Sequence, residues 1–143
     1  MLPEPGPEIV EELKAVNQRF YDAFSDLDIS VMDNVWEDSI RVVCVHPGWT
    51  PLIGWEAVRM SWDRIFQNAN LMQFQVRYLN IVVQGEFGSV TCVEGITSVV
   101  AGTASNFSTF ATNIFARREA VSYTHLRAHE TRHDLVCRLL LEK

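Results

Sequence analysis

Basic residues, cysteine, long apolar runs and nucleotide-binding motifs are all scarce in this 143-residue chain, and each scarcity removes a class of function. Lysine and arginine number 12 against 18 aspartates and glutamates, a formal net charge of −6, and they are not clustered. An acidic chain without a basic patch is a poor partner for nucleic acid or an anionic membrane. The three cysteines, Cys44, Cys92 and Cys137, form neither a CxxC pair nor a spaced disulfide framework. Cys44 and Cys92 lie in apolar strand-like runs, where cysteine behaves as a small hydrophobe. No run approaches the roughly 20 apolar residues of a membrane span. Residues 1–7 are Pro-rich, not basic, and lead into no apolar signal core. The expected location is the cytoplasm. No Gly-rich phosphate loop and no nucleophile elbow occurs, so no cofactor is expected.

Histidine is scarcer than its count of 4 suggests, because His125, His129 and His133 crowd one terminal stretch. Residues 121–130 resemble a frame translation of a transposase-type sequencing adapter, and residues 134–143 the flow-cell end of the same adapter. The expectation is that 121–143 is a non-native tail, to be left out of fold and site reasoning. Its competing reading is a genuine strand, since Leu135, Cys137, Leu139 and Leu141 alternate. Without the tail, His46 is the one histidine left. One imidazole and scattered carboxylates give no metal-ligand spacing, so no metal site is expected.

What is present reads as one domain over residues 8–120, large enough for a single core. Ile9, Val10, Leu13, Val16, Phe20, Ala23, Phe24 and Leu27 recur at three- and four-residue steps, which predicts a helix over 7–26. Asp28 is placed to cap a short helix through Trp36. A β-branched run predicts a strand over 40–45, followed by a Pro/Gly loop at 46–54 and a helix over 55–68. Residues 71–84, 89–100 and 106–117 read as three long strands joined by tight turns. The order is helix, helix, strand, helix, then strands: an α+β pattern with helices on one face of a curved, mostly antiparallel sheet.

Val16-Asn17-Gln18-Arg19-Phe20-Tyr21, His46-Pro47-Gly48-Trp49, Gly54-Trp55-Glu56-Ala57-Val58, Val90 to Glu94 and Ala111-Thr112-Asn113-Ile114-Phe115 together resemble the SnoaL-like branch of the nuclear transport factor 2-like superfamily. The resemblance covers nearly all of 8–118. It implies a cone-shaped roll with three N-terminal helices on the sheet, a pocket between them, and dimers formed through the outer sheet face. It also implies one further strand after the Asn113 strand, where this chain carries the adapter-like tail instead. On that reading the natural last strand is missing and a sheet edge is left bare. The superfamily includes ketosteroid isomerase, dehydratases, cyclases and non-catalytic binding modules, so fold does not give function.

Three residues are the catalytic candidates. His46 ends a strand at a Pro-Gly loop and falls, by resemblance, where ketosteroid isomerase places its general base. Asn113 shares a face with Ala111 and Phe115 and falls near that enzyme's protonated oxyanion-hole Asp; an amide can donate there without pKa tuning. Glu94 is mid-strand in an apolar context, a carboxylate with an acid/base role if its face looks inward. Phe20 stands where that isomerase has its oxyanion tyrosine and lacks the hydroxyl. Tyr21, one residue on, points about 100° away and does not replace it. Phe20, Phe24, Trp36, Trp49, Trp62, Phe66 and Phe115 are expected to line the pocket. The expected partner is a small hydrophobic molecule, met either by a cofactor-free isomerase, cyclase or dehydratase or by a non-catalytic binding or dimerisation module whose pocket is plugged by Trp49 or Trp62.

Overall fold

A computed structural model describes residues 4–117 and the backbone of residues 135–141. The expectations for residues 1–3 and 118–134, including the three tail histidines, lie outside the described residues. Helix α1 spans Pro7–Asp26, with Pro at its start and Glu8 in its first turn, where the dipole favours negative charge. It stops at Leu27, which takes a left-handed φ of 54° and returns its N–H to Phe24 O at 3.3 Å. Helix α2 spans only Ile29–Met32. Asp28 caps it as expected, accepting from Ser30 N at 2.9 Å, but the helix ends well before Trp36. Past Trp36, Glu37 is buried and gripped by Ser39 Oγ at 2.6 Å and by Arg41 through Nε and Nη2 at 2.5 and 2.7 Å. This clasp turns the chain over 37–41 and delays strand β1 to Val43–Val45.

The 46–54 loop holds a two-residue strand, β2 (Leu52–Ile53), antiparallel to β1. Helix α3 spans Trp55–Asn68. The sheet continues with β3 (Ala69–Gln84), β4 (Phe87–Val100) and β5 (Thr103–Ala116), an antiparallel meander. A bulge between Tyr78 and Asn80 curves β3. The final strand, β6 (Leu135–Leu141), lies parallel to β1 and antiparallel to β5. The six strands run β2-β1-β6-β5-β4-β3.

Residues 135–141, expected to belong to a non-native tail, are thus paired as a strand between β1 and β5. The bare edge expected at β5 is not found, because β5 pairs with β6 from Phe110 to Phe115.

The core lies between α1, α3 and the concave sheet face. Gly88, Val90, Cys92, Glu94, Ile96 and Ser98 on β4, and Thr109, Ala111, Asn113 and Phe115 on β5, are buried at the period of two expected of strands with one covered face, and Ala116 at the end of β5 is buried as well. Trp36 stacks on Trp55 at 5.9 Å, and Trp62 meets Phe20, Phe24, Trp36 and Phe66 within 6.3 Å. Arg59 forks onto Asp33 at 2.7 and 3.0 Å and ties α3 to the end of α2.

Candidate functional site

A cavity of about 430 Å³ opens on the concave face, and both His46 and Glu94 line it. It exists because α1 ends at Asp26 while β3, β4 and β5 run on. Beyond Phe24 the sheet is faced by the second half of α3 and the His46–Trp49 loop, which stand off from it. The walls are mainly Phe24, Pro47, Trp49, Ile65, Met72 and Ile96, with Arg64, Asn68, Ser98 and Ser105 among the polar members.

His46 is placed by local sequence. It follows Cys44 by two positions, so both face inward from β1. Pro47 and Gly48 then form a turn in which Trp49 N donates to His46 O at 2.9 Å and Gly48 takes a φ of 80°, the type II pattern that needs Gly at that position. The turn folds Trp49 back over the imidazole, 4.8 Å between rings, and Trp62 packs its other side at 4.6 Å. The ring is only 3% exposed. Its Nε2 lies 2.9 Å from Ser61 Oγ, and Ser61 Oγ donates to Val58 O at 2.6 Å. A hydroxyl has one proton. With that proton on Val58 O, Ser61 accepts from His46, so Nε2 carries the hydrogen and Nδ1 is the basic nitrogen of the neutral ring. Cys44 Sγ sits 3.7–3.8 Å from both ring nitrogens, beside the ring rather than in line with either.

Glu94 is fully buried at the other side of the cavity. Tyr21 donates its hydroxyl proton to Glu94 Oε2. Behind it, Asn113 Nδ2 donates to the Tyr21 oxygen at 3.1 Å and to Asn17 Oδ1 at 2.8 Å. The result is a directed chain, Asn113 to Tyr21 to Glu94, drawn from β5, α1 and β4. Cys92 Sγ lies 3.5 Å from the same phenolic oxygen.

Several expectations are corrected. Tyr21 is the residue sequence reasoning missed. Its 100° offset from Phe20 excludes it only if α1 buries a narrow stripe, but the curved sheet wraps the helix so that Asn17, Phe20, Tyr21 and Phe24 are all buried. Asn113 does not line the cavity; its amide is spent on Asn17 and Tyr21. Of the aromatic residues expected on the pocket wall, Phe24 and Trp49 are there. Phe20, Trp36, Trp62 and Phe66 are core beneath it, because their rings pack on one another. Phe115 lies toward the opposite end, beside Leu13 and Gly88. The cavity is not plugged: Trp49 stands at its lip, 40% exposed, and Trp62 is below the imidazole. Among the described residues no three His, Cys, Asp or Glu side chains converge as a metal site, and no helix is long and apolar enough to cross a membrane.

The sequence profile of the SnoaL-like domain matches residues 13–130. No curated protein sequence is matched. Among solved structures, a proposed dehydratase of the NTF2-like family from Streptomyces avermitilis is 28% identical, with a TM-score of 0.79 over 96% of this chain and 99% of that one. A proposed calcium/calmodulin-dependent protein kinase type II association domain from Thiobacillus denitrificans is 25% identical, TM-score 0.71, over 100% of this chain and 99% of that one. An NTF2-like superfamily protein from Salmonella enterica shares the fold at 12% identity, TM-score 0.78, over 94% and 91% of the two chains. Cone, concave-face cavity and profile agree, and the chain belongs to the SnoaL-like domain family of the NTF2-like superfamily.

Proposed function

We propose that the protein binds a small, mostly apolar molecule in the His46–Glu94 cavity and carries out cofactor-free acid–base chemistry on it, of the isomerisation, cyclisation or dehydration kind. One observation carries this reading: an imidazole and a carboxylate, each held from behind by a hydrogen bond, line one apolar cavity of about 430 Å³. In the reaction, Nδ1 of neutral His46 removes a proton from carbon, and Glu94 is the second group that exchanges a proton with substrate. Tyr21 and Asn113 hold Glu94 and do not touch substrate. The likeness to the proposed dehydratase favours elimination of water within this set.

The test is a thermal-shift screen of the purified protein against neutral hydrophobic metabolites, repeated on His46→Gln and Glu94→Gln. Binders that stabilise the parent and lose turnover, but not binding, in either variant support the reading. The absence of any binder, or turnover indifferent to both substitutions, overturns it.

A second reading, an association module without chemistry that dimerises through the outer sheet face, is favoured by the likeness to the kinase association domain. Light scattering on the eluting protein distinguishes them: ordered oligomers with an inert cavity support the module. The tail belongs to this proposal too. Residues 121–143 are proposed to be adapter-derived, with β6 standing in for the natural last strand. Recovery of the same codons from an independent genomic clone would refute that.

A further inference from the structure

We infer that the cavity selects an amphipathic organic anion, an apolar body carrying one acid head, and that Arg64 at the rim reads the head. The inference rests on the small-molecule reading of the cavity and narrows its ligand class.

Two features carry it. The first is an unspent cation. Arg64 is the one arginine or lysine among the lining residues, and its side chain is exposed. Two other arginines of the helical side are engaged: Arg41 on Glu37 and Arg59 on Asp33. Arg64 has no carboxylate partner among the described residues. Its helical neighbours at three and four positions are Met60, Ser61, Gln67 and Asn68, none of them acidic, so α3 supplies it no counter-ion. Asp63, adjacent in sequence, receives Gln67 Nε2 at 3.0 Å instead.

The second feature is polarity along the cavity. Glu94 is 0% exposed and His46 3%, whereas Arg64 and Asn68 are exposed, so the acid–base pair is deep and the cation shallow. Between them lie Phe24, Ile65, Met72 and Ile96. A negative head seated at the dry inner end would be desolvated with no cation beside it, which carries a large cost. Arg64 offers it a planar fork of donors at the mouth. The two ends therefore orient the ligand: acid head outward, apolar and reacting part inward.

The experiment uses two fluorescent probes with the same aromatic body, 8-anilinonaphthalene-1-sulfonate (anionic) and N-phenyl-1-naphthylamine (neutral). Each is titrated into the full chain, Arg64→Gln and Ile96→Trp at pH 7.5. Arg64→Gln is expected to weaken the anionic probe about fivefold, the scale of a partly screened ion pair, and to leave the neutral probe unchanged. Raising the salt should weaken only the anionic probe, and only in the parent. Ile96→Trp, which fills the cavity, should weaken both. An anionic-to-neutral affinity ratio unchanged by Arg64→Gln overturns the role of Arg64 while leaving the cavity reading intact. Neutral-probe binding that ignores Ile96→Trp, or no binding of either probe, overturns both.

Discussion

At one end of the cone α1 lies along the sheet; at the other α1 ends, its last buried side chains being Tyr21, Ala23 and Phe24. The same two strands, β4 and β5, build both ends; β4 alternates along its length, β5 only from Thr109 on. At the closed end the inward position of β4 is Gly88, and the Leu13 side chain occupies the space its Cβ would take, 2.8 Å from both methyls. Only about 50 Å³ of groove is left there, between Ile9, Leu13, Val16 and Phe115. At the open end the inward positions are Glu94, Ile96 and Ser98; α1 meets the first of these through Tyr21 and then ends, and about 430 Å³ is left. Contact at one end and space at the other follow from where one helix ends. The closed end spends its residues on packing. The open end keeps a buried carboxylate, a costly group for a core and a useful one for chemistry.

The largest expected effect falls on the layer that separates the cavity from the core. Trp62 supports His46 from below and touches four other aromatic rings, so Trp62→Ala should cost about 3–5 kcal/mol. Trp49 touches the same imidazole from above but stands half in solvent, and Trp49→Ala should cost under about 1 kcal/mol. Chemical denaturation of the two variants checks this. Equal losses would mean that the lip is as structural as the floor, and the contrast between ends would collapse.

The directed chain at the open end gives the next largest effect. Tyr21→Phe removes the donor to Glu94 and strands Asn113 behind it, a loss of about 1–3 kcal/mol if the acceptor stays dry. Glu94→Leu added to Tyr21→Phe removes both ends of the bond, and most of that stability should return. Thermal unfolding of the single and double variants measures the coupling. A double variant less stable than either single would show that the carboxylate is there for packing, not function.

Much of this contrast was legible in the residues. Helical spacing from Ile9 to Phe24, the Pro-Gly turn after His46 and the alternation of β4 were enough to give the elements and to single out His46 and Glu94, while the face on which Glu94 lies stayed open. Three things were not legible. The breadth of the face α1 buries depends on how far the sheet curls around it, so Tyr21 was set aside. The Glu37–Arg41 clasp competes with helix and strand propensity at short range, and no periodicity announces it. Which aromatics line space and which fill it depends on where α1 ends relative to the strands. That is a tertiary distance, and the Phe and Trp positions alone do not encode it.

A smaller effect sharpens the closed end. Gly88 has an ordinary strand backbone, so what forbids a side chain is Leu13 rather than strain. Gly88→Val should destabilise by about 1 kcal/mol, the low end of overpacking because a leucine tip can move. In a Leu13→Ala background the same substitution should cost nothing or stabilise, since the added methyls fill the space vacated. A double-mutant cycle by urea unfolding reads the coupling. Additive costs would mean that helix and sheet do not interlock there.

The smallest expected effect lies at the seam between the two ends. Tyr78 on β3 faces Cys92, its hydroxyl donates to Lys14 O at 3.4 Å, and the Lys14 ammonium lies 5.2 Å from its ring centre. Burial pushes its phenol above the ordinary value of 10.0, and a hydrogen bond with Asn17 offsets this only in part. In the unfolded chain the phenol ionises first, so between 10.0 and the folded pKa the native state holds more protons and stability falls as pH rises. Below that window the contribution is fully present. Melting temperature should therefore decline more steeply above pH 10 in the parent than in Tyr78→Phe, by a few tenths of a kcal/mol at most for a half-buried ring. Identical alkaline slopes would mean that this phenol is as wet as the unfolded one, and that the tight packing of the closed end stops short of the seam.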